Sequence, residues 1–163
     1  MVDMKDIIDN GKALGGGKDR EVYLFKDRVY KIAKLNREYT NAAEYRRHLV
    51  SKHLEITVYN PVIDISMDCK ILEVERCLPF KQFIKDIVGK KIETEEFVFA
   101  DYDMYELIQK FKLEKYLPIS VGELDEFLFA NNRDNLNFEE VQYYNNWGYN
   151  INRKQLVLLD YAD

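Results

Sequence analysis

The sequence predicts an α+β protein. Short β-branched and aromatic runs with one helical stretch fill the first half, 3.6-residue apolar periodicity takes over in the middle, and an apolar strand returns at the end. A length of 163 residues makes one domain the default and allows a real core. Hydrophobic residues make up 47% and charged residues 33%, a balance that suits a soluble globular chain and excludes a disordered one.

In chain order, Asp3 is placed to cap a short helix through Ile7 and Ile8. "ALGGGKDREVYLF" and "RVYKIAK" read as two strands, and the short Lys26-Asp27 connection predicts a hairpin. "NREYTNAAEYRRHLVSKH" reads as a helix over about 36–53 with Asn36 as its N-cap. "NPVIDISMD" and "CKILEVERC" are two further strands with a turn near Asp68. "FKQFIKDIVGK" is a short helix ending near Gly89. Met104, Leu107, Ile108 and Phe111 fall at i, i+3, i+4 and i+7, one face of an amphipathic helix. Just past Pro118, Ser120 and Glu123 have capping-box spacing before Leu124, Phe127 and Leu128, and "QLVLLDY" is the returning strand.

No apolar run reaches membrane-spanning length, and "MVDMKDIIDNGK" has no signal-peptide core, so a cytoplasmic location with no membrane role is expected. Cys69 and Cys77 lack metal-type spacing and read as small buried hydrophobes or free thiols, which fits a reducing compartment. The net charge of −5 argues against a general nucleic-acid binder. The charge is uneven: residues 18–37 are rich in Lys and Arg, which would suit a phosphate ligand, while Glu93, Glu95, Glu96, Asp101, Asp103 and Glu106 occur without a base among them. For the acidic stretch a solvated face is the preferred reading. His48 and His53 do not have the i, i+4 spacing of a helical metal pair and read as surface residues. Trp147 reads as a core anchor before a ligand-stacking ring.

Chemistry gathers at a few positions. Gly15-Gly16-Gly17 lies between strands, where backbone N–H groups without a Cβ in the way can approach an anion, although a Gly cluster alone also fits an ordinary turn. Lys31 lies on the next strand, where an inward ammonium is costly unless paired, and Glu44 on the following helix is the partner at hand.

With these residues in place the chain resembles the protein kinases. Gly15, Gly17 and Val22 match the Gly-loop pattern, with Arg20 where its third Gly would be; Lys31 matches the strand-three Lys and Glu44 the helix Glu. "ILEVERCLPF" resembles the strand and hinge that hold an adenine ring, with Glu75, Arg76 and Cys77 as the hinge. Asn146 and Asp160 match the two metal-holding residues. More narrowly, "GGGKDREVY", "VYKIAK", "TNAAEY", "LEVERCLPF" and "NNWGYN…LVLLDYAD" look like the small kinase-like proteins of bacteriophages. The resemblance implies a minimal kinase-like fold: one domain over 1–163, a sheet lobe over 1–80, and a truncated helical lobe over 81–163 with a closing C-terminal hairpin. It also implies nucleotide contacts from Gly15, Gly16, Gly17, Val22, Lys31, Glu44, Glu75 and Cys77, metal contacts from Asn146 and Asp160, and ATP with Mg2+ as cofactors.

Val141 stands where such sites keep the Asp that accepts a proton, and Val does no acid–base work. Glu139 or Glu140 would reach that place only by a slip of the loop. Asp160-Tyr161-Ala162 replaces Asp-Phe-Gly one residue before the chain stops, so no activation segment or later lobe for a peptide substrate is expected. Three functions follow as expectations: a pseudokinase that binds a host or viral protein, placed first; an active minimal ATP-dependent phosphotransferase; and a phage-encoded inhibitor of a host enzyme that uses the acidic 93–106 stretch and no nucleotide.

Overall fold

Apolar residues at every second position fix which face of the first sheet each strand buries, and that alternation sets the architecture of the N-terminal part. The computed structural model describes residues 1–90, 101–120, 122–124, 126 and 143–159. The chain divides after Arg76 into two units.

The first unit begins with helix α1 (Met4–Asn10), whose N-cap Asp3 accepts the Lys5 N–H at 2.9 Å, as expected. Strands β1 (Lys12–Gly16), β2 (Arg20–Phe25) and β3 (Arg28–Ala33) follow, then helix α2 (Glu38–His53), then β4 (Val62–Ile65) and β5 (Ile71–Val74). They form one antiparallel sheet in the order β1-β2-β3-β5-β4. Lys26 and Asp27 both have positive φ, the mark of a two-residue hairpin turn that matches strand twist. One face of the sheet buries Phe25, Tyr30, Ile32 and Ile71 against Ile7 of α1; the other buries Val29, Val62, Leu72 and Val74, with Tyr45 of α2 packed against them.

The second unit opens with β6 (Cys77–Pro79) and α3 (Phe80–Phe83), which continues as a π-helical turn over Ile84–Val88 and ends at Gly89. Helix α4 (Met104–Phe111) buries Met104, Leu107 and Ile108, and Asp103 caps it by accepting the Glu106 N–H at 2.8 Å. Strands β7 (Trp147–Asn150) and β8 (Gln155–Leu158) form the closing hairpin and pair with β6 in the order β6-β7-β8. Phe83 stacks on Tyr149 at 4.9 Å between ring centroids and meets Tyr116 edge-on at 5.0 Å. Trp147 is 1% exposed and is the core anchor expected. A Cβ on Gly148 would lie 3.0 Å from the Cys77 Cβ and 2.9 Å from Leu159 Cδ2, so the β6–β7 approach requires glycine there.

The α+β class, the antiparallel N-terminal sheet with one helix, the few later helices and the C-terminal hairpin are all present. The Ser120–Glu123 capping box forms in both directions, at 3.3 and 3.2 Å, and Leu124 behind it is buried. Four local expectations are corrected. "ALGGGKDREVYLF" is two strands, because the chain turns back over residues 17–19. "CKILEVERC" is not one strand: Ile71–Val74 form β5, and Cys77 opens β6. Asn36 is not the N-cap: it takes φ 62°, a left-handed conformation Asn tolerates, and Arg37 occupies the cap position without a side-chain bond. His48 is half-buried, and its Nδ1 accepts the Val62 N–H at 3.3 Å, tying α2 to β4. Neither cysteine is in a disulfide, and both are half-buried. Phe127 and Leu128, and most of the acidic 93–106 stretch, lie outside the described residues. No helix among the described residues is long and apolar enough to cross a membrane.

Candidate functional site

In the first unit the Gly-rich turn is exposed and stapled. Every residue of β1 faces solvent, and the β1–β2 register slips between Ala13 and Gly15. Gly15 has φ +147°, a conformation that a side chain would strain. Beyond it, the Gly17 N–H donates to Arg20 O at 2.9 Å, Lys34 Nζ donates to Gly17 O at 2.6 Å, and the Lys34 N–H donates to Asp19 O at 2.9 Å. Arg37 Nε lies 3.3 Å from Asp19 Oδ1. The turn is therefore bound to the connection that follows β3. Val22, opposite Lys31 in register, packs against the Val29–Leu72 cluster.

Lys31 sits mid-strand in β3, between Val22 of β2 and Leu72 of β5. Its Nζ donates to Glu44 Oε1 at 2.7 Å, with Lys31 7% and Glu44 0% exposed. A second cation shares the carboxylate: Arg20, 6% exposed, pairs through Nη1 with Glu44 Oε2. Arg20 Nη1 also donates to Asn41 Oδ1 at 3.3 Å. Asn41 is fully buried, and its Nδ2 donates to Lys31 O at 3.3 Å, Cys69 O at 2.9 Å and Lys70 O at 3.1 Å. Charges so buried persist only with short charge-assisted hydrogen bonds around them, which this arrangement supplies. It can hold an ammonium at a defined place on the central strand.

Of the residues expected to form a hinge, Glu75 and Arg76 end the first unit. The Glu75 N–H donates to Pro61 O at 3.1 Å, and its carbonyl accepts from Asn60 Nδ2 at 2.8 Å; Asn60 is 2% exposed. Arg76 pairs with Asp27 of the β2–β3 turn. Nearby, Arg28 Nη1 meets Glu73 Oε1 at 2.5 Å, a bond that raises the Arg28 guanidinium further above its ordinary value.

Cys77 belongs to the second unit, where it pairs with Asn150 across β6–β7. Asn146 closes a 3-10 turn over Tyr144–Asn146, and its carbonyl accepts the Leu159 N–H at 2.7 Å. The β7–β8 hairpin therefore sets Asn146 opposite the residue that precedes Asp160 in the chain. Asp160 and Val141 lie outside the described residues, as do Glu139, Glu140, Tyr161 and Ala162. Among the described residues no group of three or more His, Cys, Asp or Glu side chains is placed to hold a metal ion.

Sequence reading assigns no role to Asn41 or Asn60, and marks Arg20 only as the residue in a Gly position. The signal for Asn41 is its i, i+3 spacing from Glu44, which puts both on one helix face. Nothing in the sequence flags Asn60.

Protein-family models give no match to the chain, and neither do curated proteins. Among solved structures it is similar to that of the gentamicin-APH(2")-IIa complex, with TM-score 0.43 and 12% identity over 98% of this chain and 70% of that chain. It is also similar to the streptomycin-ATP-APH(2")-IIa ternary complex, with TM-score 0.38 and 14% identity over 98% of this chain and 71% of that one.

Proposed function

We propose that this chain is a single kinase-like domain over 1–163 with a Mg2+–nucleotide-type site and no evident catalytic base, acting by binding a host or viral protein. The observation that carries the reading is the buried Lys31–Glu44 pair, following a Gly-rich turn and held on the central strand. A lysine so restrained is suited to meet phosphate oxygens without paying the full cost of desolvation. The Asn146 carbonyl bonded beside the position of Asp160 supports the metal half, in which Asn146 and Asp160 would hold Mg2+. Gly15, Gly16, Gly17 and Val22 would line the nucleotide, with Glu75 and Cys77 offering backbone groups to its base. Val141 at the position of the base is the reason a binding role stands ahead of turnover.

The experiment is thermal-shift measurement with ATP, GTP and other nucleotides, with and without Mg2+. A ligand at a hundred times its Kd adds about 2.7 kcal/mol of apparent stability. The expected result is a Mg2+-dependent rise that Asp160→Ala and Lys31→Ala each remove; no rise with any nucleotide overturns the reading. An active phosphotransferase is the second reading, favoured by the formed Lys31–Glu44 pair, because phosphoryl transfer rests largely on positioning and charge neutralisation. Transfer of labelled phosphate from Mg-ATP that Lys31→Ala abolishes would establish it.

A further inference from the structure

Glu44 carries a different cation on each of its oxygens, and the two cations come from neighbouring strands. Arg20 pairs with Ala33 and Val22 with Lys31 in the β2–β3 register, so Arg20 and Lys31 lie diagonally on one face of the sheet, beneath α2. A carboxylate held by a single ammonium is free to turn about its last torsion and offer either oxygen. With Arg20 Nη1 on Oε2, the oxygen left to Lys31 is Oε1, and that is the one at 2.7 Å. The guanidinium is itself fixed, since Asn41 accepts from the same Nη1 while its amide is anchored on three backbone carbonyls of β3 and the β4–β5 turn.

We infer that Arg20 is a positioning residue: its guanidinium fixes the Glu44 carboxylate so that Oε1 holds the Lys31 ammonium in one place. The bland alternative is a staple between β2 and α2, which would lower stability on substitution without changing how Lys31 is held. This inference deepens the nucleotide-site reading but does not depend on it, because the arrangement needs no bound ligand.

The test is trace acylation of the full-length chain with acetic anhydride, without nucleotide, read by peptide mass spectrometry as the ratio of Lys31 to the exposed Lys52. With each ratio taken from the pH-independent limiting rates, so that the charge lost with Arg20 does not enter it, Arg20→Met is expected to raise that ratio severalfold. Arg20→Lys, which keeps a cation within reach of Oε2, is expected to return it toward the wild-type value. If Arg20→Met does not fold, Arg20→Gln replaces it in the same comparison. Variants that melt earlier but keep the wild-type ratio make Arg20 a staple and overturn the inference, as does an Arg20→Lys ratio equal to that of Arg20→Met. Absence of any nucleotide shift in the wild type would sink the proposed function and leave this result standing.

Discussion

Lys31 and Glu44 meet at 2.7 Å with both side chains out of solvent, across the interface of β3 and α2. Removing the acid should cost far more than removing the base. Glu44→Ala leaves two buried cations without their carboxylate and is expected to destabilise by about 3–5 kcal/mol. Lys31→Met leaves Glu44 paired with Arg20 and should cost at least about 1 kcal/mol less, since the Glu44 carboxylate keeps a cation. Urea unfolding of the two variants decides the point, and equal losses would refute the shared carboxylate.

Asn41 separates packing from hydrogen bonding. Its amide donates toward three carbonyls, of which Lys70 O also accepts the Ala33 N–H at 2.9 Å and so keeps a partner when Asn41 is changed. Asn41→Ala should cost about 1–3 kcal/mol for the hydrogen bonds that this fully buried amide makes. Asn41→Asp is nearly the same shape but turns a carboxylate toward those carbonyls, and it is expected to be the worse of the two. Melting curves near neutral pH would show the order, and a milder Asp variant would mean that the amide does not donate where it is placed.

What the sequence disclosed about this site follows from locality. Lys31 and Glu44 were legible because each needs only a strand or helix assignment and the rule that buried charges pair. Arg20 was not, because its partner is set by the β2–β3 register, and the run "GGGKD" does not reveal where the chain turns back. Asn60 lies fifteen residues from Glu75, and its bond to that carbonyl exists only once β4 and β5 are side by side. Asn36 failed as a cap for the opposite reason: the residue type suits a cap and a left-handed turn equally, and backbone geometry chose the turn. The C-terminal strand was legible from the apolar run "QLVLLDY" and its hairpin only through the family resemblance, while the fit of Gly148 against Cys77 required β6 to be in place.

Two glycines should respond oppositely to alanine. At Gly148 a Cβ meets the Cys77 Cβ at 3.0 Å, and that atom cannot swing aside as the Leu159 methyls can. Gly148→Ala is expected to cost about 1–3 kcal/mol as overpacking, visible in the fluorescence transition of the adjacent Trp147. At Gly17 nothing lies within 4 Å of the place a Cβ would take, so Gly17→Ala should leave stability within about 0.5 kcal/mol. On the proposed function, the same variant weakens the Mg2+–nucleotide thermal shift because its methyl would crowd the approach of phosphate. A Gly17→Ala protein with normal stability and an unchanged shift would remove that glycine from the site.

Alkaline pH should unfold the chain through buried phenols. Burial, and then the neighbouring Glu73 carboxylate, hold the Tyr30 hydroxyl above its ordinary value of 10.0; burial, and then Tyr116, do the same for Tyr149. A phenol ionises to an anion, so the unfolded chain releases these protons first as pH rises. The stability each contributes is complete below pH 10 and is lost as pH climbs from there through the folded value. Each tyrosine can add at most about 1.4 kcal/mol per pH unit to the slope in that window. Melting temperature followed by circular dichroism from pH 9 to about 12 should therefore fall on the alkaline side, where the ordinary phenol ionises. Tyr30→Phe and Tyr149→Phe should each make that fall shallower, and alkaline limbs parallel to the wild type would show that neither phenol is linked to folding.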